Sequence, residues 1–216
     1  MNCCFTCITG NYDILQEPLW KDKDWRFICF SDENINSNGW EIIKVPKQED
    51  KKRLARSIKI LPTFPFEVDN YFWVDANIAI VGDLNTFINP LLDHDLSVMR
   101  HPHRTTLDQE VEACLKYKKD DPYILGEQLL KYKQNGYVSK ELAATGIIFR
   151  KNNYVTKTHA AFWLDQVNKY SHRDQMSFNY SCWKTGLQPN YFPYDVIDDG
   201  VTFKYSYHPH RLNRLT

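Results

Sequence analysis

The chain has 216 residues, 43% apolar, 14% aromatic and 25% charged, enough for one domain with a substantial core and without a low-complexity tract. Its 27 basic residues balance 27 acidic ones, so the positive surplus that a general nucleic-acid binder sets against phosphates is missing. No run approaches the roughly 18 apolar residues of a membrane-spanning helix, and no charged-then-apolar leader opens the chain. A cytoplasmic protein (of the producing or host cell) with reduced thiols is therefore expected, and membership of a longer multidomain chain stays open.

Apolar runs of β type alternate with polar breaks through the first half. Cys3–Thr9 is the first, ended by the turn pair Gly10-Asn11. Trp25–Phe30 is the second and stops at Ser31-Asp32-Glu33-Asn34. Trp40–Val45 follows Asn38-Gly39 and closes at Pro46. A helix is predicted over Gln48–Leu61, with Leu54, Ile58 and Leu61 on one face and Lys52, Arg56 and Lys59 on the opposite one. Pro62 and Pro65 end it. Tyr71–Val74 is a fourth strand and Ile78–Val81 a fifth. Helices are predicted over Thr106–Lys118, Pro122–Gln134 and Thr156–Tyr170, with a strand over Gly146–Arg150. Strands separated by helical crossovers give one α/β domain with a mainly parallel central sheet flanked by helices.

Six cysteines occur, and Cys4 and Cys7 have C-x-x-C spacing, but no second pair follows at zinc-ribbon distance. Cys3, Cys4 and Cys7 share an apolar strand, so structural thiols are expected there. The tetrapeptide His-Pro-His-Arg appears at His101–Arg104 and again at His208–Arg211, which is too little for a structural repeat.

The segment richest in chemistry is Tyr71-Phe-Trp-Val-Asp75-Ala-Asn77. An apolar strand runs straight into Asp75, which puts a carboxylate at the strand's C-terminal end, the edge where α/β sheets bind ligands. Alternation points Asp75 and Asn77 to the same side, and two oxygen donors suit Mg²⁺ or Mn²⁺. A turn-capping Asp is the plain alternative. Arg56 and Lys59 lie one helical turn apart, a fork and a point charge for phosphate oxygens or else a solvated helix face. Asp174, with Gln175 beside it, opens a further helix and serves either as an N-cap or as a group near reacting atoms.

The apolar strand with its D-x-D-like triplet, about 70 residues into the chain, resembles a GT-A glycosyltransferase. Thr9–Leu15, Phe30-Ser31-Asp32 and Arg56-x-x-Lys59-x-Leu61-Pro62 resemble glycosyltransferase-like domains of bacterial polysaccharide clusters and plant wall-related proteins. His101-x-x-Arg104, Gly146–Arg150 and Arg173–Phe178 add to that likeness, which spans about residues 5–185. The chain also resembles the N-terminal glycosyltransferase domain of a chlorovirus protein.

The resemblance implies a single GT-A-type domain over residues 1–216, with about 1–80 as a nucleotide-binding half and 81–216 as an acceptor half. It implies a hexosyl- or deoxyhexosyltransferase whose partners are a nucleotide sugar donor, uridine preferred, and a glycan acceptor. In those terms Thr9 and Tyr12 hold the nucleoside, Asp32 accepts the uracil N–H, and Arg56 and Lys59 take the diphosphate. Asp75, Asn77 and a late His208 surround Mn²⁺ or Mg²⁺. Asp174 orients donor hydroxyls, takes an acceptor proton or stabilises positive charge, and Gln175 holds a sugar hydroxyl.

The sequence departs from the familiar motif at Asn77, where a second Asp is usual, which lowers expected metal affinity or turns Asn77 towards ribose or sugar hydroxyls. No acidic residue stands out as an inverting base, which favours a retaining outcome. Two other classes compete: a His-rich metal hydrolase built on the two His-Pro-His-Arg segments, and a carbohydrate- or nucleotide-binding domain without turnover.

Overall fold

The computed structural model describes residues 1–206 of the chain. In chain order the elements are β1 (Asn2–Ile8), β2 (Trp25–Ser31), β3 (Glu41–Lys44), α1 (Lys51–Ile60), β4 (Asn70–Val74), β5 (Ile78–Ile80), α2 (Leu84–Ile88) and β6 (Leu96–Arg100). There follow α3 (Leu107–Lys116), α4 (Pro122–Gln134), β7 (Ala143–Lys151), α5 (Tyr154–Lys169), α6 (Asp174–Thr185), β8 (Asn190–Phe192) and β9 (Phe203–Tyr205). Seven strands form one sheet in the order β3-β2-β1-β4-β7-β6-β8. Only β7 runs against its neighbours, so the sheet is mostly parallel, as its apolar runs and crossovers imply.

Both faces of this sheet are covered, which is why its strands read as continuous apolar runs rather than alternating ones. Phe5, Trp73 and Ile148 lie in register on one face, beneath Leu54 and Ile58 of α1, Trp163 of α5 and Phe178 of α6. Cys4, Phe72 and Phe149 lie in register on the other, against Phe203 and the flanking Phe87. Trp163 is fully buried and its indole N–H donates to the Asp174 carbonyl at 2.9 Å. Burying such a ring contributes about 2–3 kcal/mol and fixes where α6 begins. A third cluster, with Tyr132 stacked on Tyr180 at 3.6 Å, joins α3, α4 and α6.

Helix starts are set by side chains. Asp50 caps α1 by accepting from the Arg53 N–H, Thr106 and Gln109 form a capping box on α3, and Asp121 caps α4 ahead of Pro122. All six cysteines are free, and burial pushes the Cys3 and Cys29 thiols up to about 12, as inert structural thiols require.

Three expectations are corrected. The fifth run, expected in the central sheet, is β5, which pairs instead with β9 in a separate two-stranded sheet. Lys59, placed on the helix face opposite the apolar one, is only 2% exposed, while Leu61, expected inward, is exposed. The carboxylate of Asp75 at the end of β4 and that of the buried Asp174 draw Lys59 inward despite its charge. Third, Asp174 is not an N-cap: Arg173 holds that place, without a side-chain cap bond, and Asp174 is the first helical residue.

Candidate active site

Because β1, β2, β4 and β6 run the same way, their C-terminal ends share one edge of the sheet. Asp75 leaves β4 at that edge, its N–H donating to the Gly146 carbonyl of β7 at 2.8 Å. Its Oδ1 accepts from the Trp73 indole at 2.8 Å, which fixes the rotamer, and the side chain remains 38% exposed. The alternation expected to align Asp75 with Asn77 is broken by a turn, in which the Ile78 N–H donates to the Asp75 carbonyl. Asn77 is therefore buried. Its amide donates to the Ser206 carbonyl at 2.9 Å while its own carbonyl accepts from the Ser206 N–H at 2.8 Å.

Asp174 arrives at the same edge from α6, and the Trp163 indole bonded to its backbone carbonyl holds it there. The buried Lys59 ammonium sits 2.6 Å from Asp174 Oδ2 and 3.6 Å from Asp75 Oδ1, so one cation spans two acids. Thr145 donates to the same Oδ2 at 2.9 Å. Arg56 Nε lies 3.2 Å from Oδ1, within ion-pair reach but not aligned for a hydrogen bond. Burial works against the charge of Asp174, yet Arg56, Lys59 and Arg173 outweigh it and hold the carboxyl far below the usual range. A carboxylate held so firmly ionised is a weak base. It is well made to aim cations.

The other expected residues fall nearby or are put to use locally. Asp32 is fully buried one residue past β2, with Oδ1 accepting from the Gly10 N–H at 2.8 Å and Oδ2 without a partner among the described residues. Gly10 and Asn11 take positive φ, the turn their residue types require. Asp32 also borders a groove of about 460 Å³ with Glu33, Asn34, Lys44 and Lys47, beside rather than on the Asp75–Asp174 pair. Thr9 is buried and donates to the Lys51 carbonyl, which ties the end of β1 to the start of α1. Tyr12 is half exposed. Gln175 follows Asp174, and its buried amide nitrogen has no partner among the described residues. His208, like His210 and Arg211, lies outside the described residues.

Two contributors escape sequence reading, Trp73 and Thr145, while Arg173 is legible only as part of a family-like motif. Nothing in an apolar strand marks which indole will reach back to a carboxylate two residues on, and Thr145 meets Asp174 only through the packing of β7 on α6. Asp75 presents a hard carboxylate donor of the kind that suits Mg²⁺ or Mn²⁺, whereas Asn77 is turned away and engaged with Ser206. The described residues contain no group of three His, Cys, Asp or Glu side chains arranged for a metal. They also include no helix long and apolar enough to cross a membrane.

No curated protein matches the chain. A family model described as TOD1/MUCI70, glycosyltransferase-like domain, matches residues 3–199, which takes in Asp75, Asp174 and every cation around them. On that match the chain belongs to the TOD1/MUCI70 glycosyltransferase-like domain family.

Proposed function

We propose that this chain is a GT-A-type glycosyltransferase that moves a hexosyl or deoxyhexosyl unit from a nucleoside diphosphate, uridine preferred, to a glycan acceptor. The observation that carries the reading is the Asp75–Lys59–Asp174 bridge at the ligand-binding edge of a mostly parallel sheet. The family supports the transferase role, and a mostly parallel sheet flanked by helices suits the GT-A type.

In this reading the unpartnered Asp32 Oδ2 accepts the N–H of a uracil ring, which a cytosine or adenine cannot offer there. Tyr12 covers the base, and Thr9 holds the turn that receives it. Arg56 and Lys59, aimed by Asp174, face the diphosphate, whose departure they ease by meeting its growing negative charge. Gln175 offers its unpartnered amide to a sugar hydroxyl. Asp75, with His208, would hold Mn²⁺ or Mg²⁺, while Asn77, tied to Ser206, secures the turn after Asp75; such a cation would supply charge neutralisation to the leaving diphosphate. Because Asp174 is a poor base, the arrangement favours retention over inversion. The same weakness would suit a binding domain without turnover, so turnover itself must be measured. The deciding experiment is a screen of sugar nucleotides for hydrolysis and for thermal stabilisation: no stabilisation by any uridine diphosphate, with metal present, would sink the proposal.

A further inference from the structure

A second buried carboxylate sits near this edge, outside the machinery described above. Glu110 of α3 is 1% exposed, and its Oε2 accepts from Arg104 Nε at 2.7 Å. Its Oε1 lies 4.0 Å from Arg173 Nη2. One acid thus holds two guanidinium groups, and each keeps more than a quarter of its side chain exposed, 28% for Arg104 and 29% for Arg173. Two cations on one acid leave a positive charge at the surface. Asp174 also acts on Arg173, but together with Arg56, Lys59 and Asp75 the joined cluster still sets four cations against three acids. His101 and His172 are largely neutral near pH 7, since burial lowers both to about 4, and Lys52 and Asp120, which both act on His172, offset each other.

The cluster is also held in place. His101 Nδ1 accepts from the N–H groups of His103 at 3.1 Å and Arg104 at 3.0 Å, so the loop after β6 presents Arg104 in one direction. Arg173 immediately precedes Asp174 and feels its charge, which makes this cluster continuous with the active site. Donors exceed acceptors here, because Arg173 Nε and Gln175 Nε2 are buried with no partner among the described residues. β6 runs parallel to β4 with β7 between them, so its end lies two strand spacings, about 10 Å, from the end that carries Asp75. That is roughly the reach of one further sugar unit, on the side away from β1–β3.

We propose that Arg104, Arg173 and Glu110 form an acceptor subsite that recognises an anionic group, a carboxylate or a sulfate or phosphate ester, on the glycan. Glu110 is the positioning residue, and the two guanidinium forks make the contact. The assignment to the acceptor rests on the glycosyltransferase reading above, while the preference for an anion rests on the cluster alone.

The test measures affinity of the whole protein for three matched short oligosaccharides: a neutral β-glucan, its glucuronan counterpart and its sulfated form. Binding of uridine diphosphate is measured on the same samples. The wild type should bind at least one charged form about tenfold or more tightly than the neutral one, and the form preferred separates carboxylate from ester. Arg104→Gln should abolish that preference, and Arg104→Lys, which keeps the charge but not the fork, should retain only part of it. The Lys variant also keeps Glu110 neutralised, so the comparison survives if the Gln variant folds poorly. Equal affinity for charged and neutral forms in the wild type, or a preference untouched in both variants, overturns the proposal. Loss of nucleotide binding with the anion preference intact would instead refute the transferase reading and leave the subsite standing.

Discussion

Asp174→Asn tests the central bridge most directly, because it removes a charge and almost no volume. In the wild type Lys59 is 2% exposed and depends on Asp174 at 2.6 Å, with Asp75 a looser partner at 3.6 Å. Breaking one side of a buried pair strands the other charge and costs about 3–5 kcal/mol. For a domain of this size each kcal/mol moves the melting temperature by about 2–4 °C, so a drop of roughly 6–20 °C is expected. The double variant Asp174→Asn/Lys59→Met should lose less than the sum of its parts, since neither charge is then stranded. Acid provides a second axis. The folded carboxyl is held below its ordinary value, so its contribution is full above the unfolded value, roughly pH 4, and is lost as pH falls from there towards the folded value. The gap between wild type and Asp174→Asn should therefore shrink below about pH 4, by up to about 1.4 kcal/mol per pH unit. Circular-dichroism melts of the two proteins from neutral pH to pH 3 read both effects. A variant that melts within about 2 °C of wild type at neutral pH, with no acid convergence, would refute the bridge as drawn.

Further outcomes follow from the same geometry. In single-turnover assays Asp174→Asn should slow transfer on the order of 100-fold, through cations no longer aimed at the diphosphate, with donor affinity changed much less. Asp75→Ala should abolish transfer while leaving the circular-dichroism spectrum intact, because that side chain is 38% exposed; a near wild-type rate would remove it from the site. Asn77→Asp loses the donor to the Ser206 carbonyl and sets a carboxylate against it, so stability should fall by about 1–3 kcal/mol in a chemical melt, and an unchanged midpoint would contradict the latch. His101, His159 and His172 are lowered to about 4, 3 and 4, each chiefly by burial. They stay neutral when folded and protonate when unfolded, so stability should be full above about pH 6.5 and decline towards pH 4, a slope that His159→Gln should lessen.

The framework was legible in the sequence because buried parallel strands are written as apolar runs and helix starts as Asp, Thr and Pro. Asp75 was legible for the same reason: a charge directly after Tyr-Phe-Trp-Val stands out at a strand end. Lys59 was legible as a site residue but not as a buried one. A 3.6-residue period assigns faces by polarity, and it cannot foresee that an acid 115 positions later will draw a lysine inward. Asn77 was misread as aligned with Asp75 because period-2 reasoning holds only while the strand continues, and here a turn intervenes. The Glu110 cluster escaped notice for a third reason. Its members come from a loop, a helix and a helix cap, and no local pattern links them.

The clasp between Asn77 and Ser206 also has a consequence in time. Its two halves are 129 residues apart, and the same distant segment supplies β9, the partner of β5. A ribosome adding roughly 5–20 residues per second needs on the order of 10 s to travel from one half to the other. Throughout that interval a nascent chain can assemble β1 to β4 around α1, but β5 has an unpaired edge and the turn after Asp75 lacks its Ser206 clasp. The turn after that acid is thus among the earlier parts made and among the last secured, so a ribosome paused short of Phe203 would display a nearly finished sheet with this turn still unclasped.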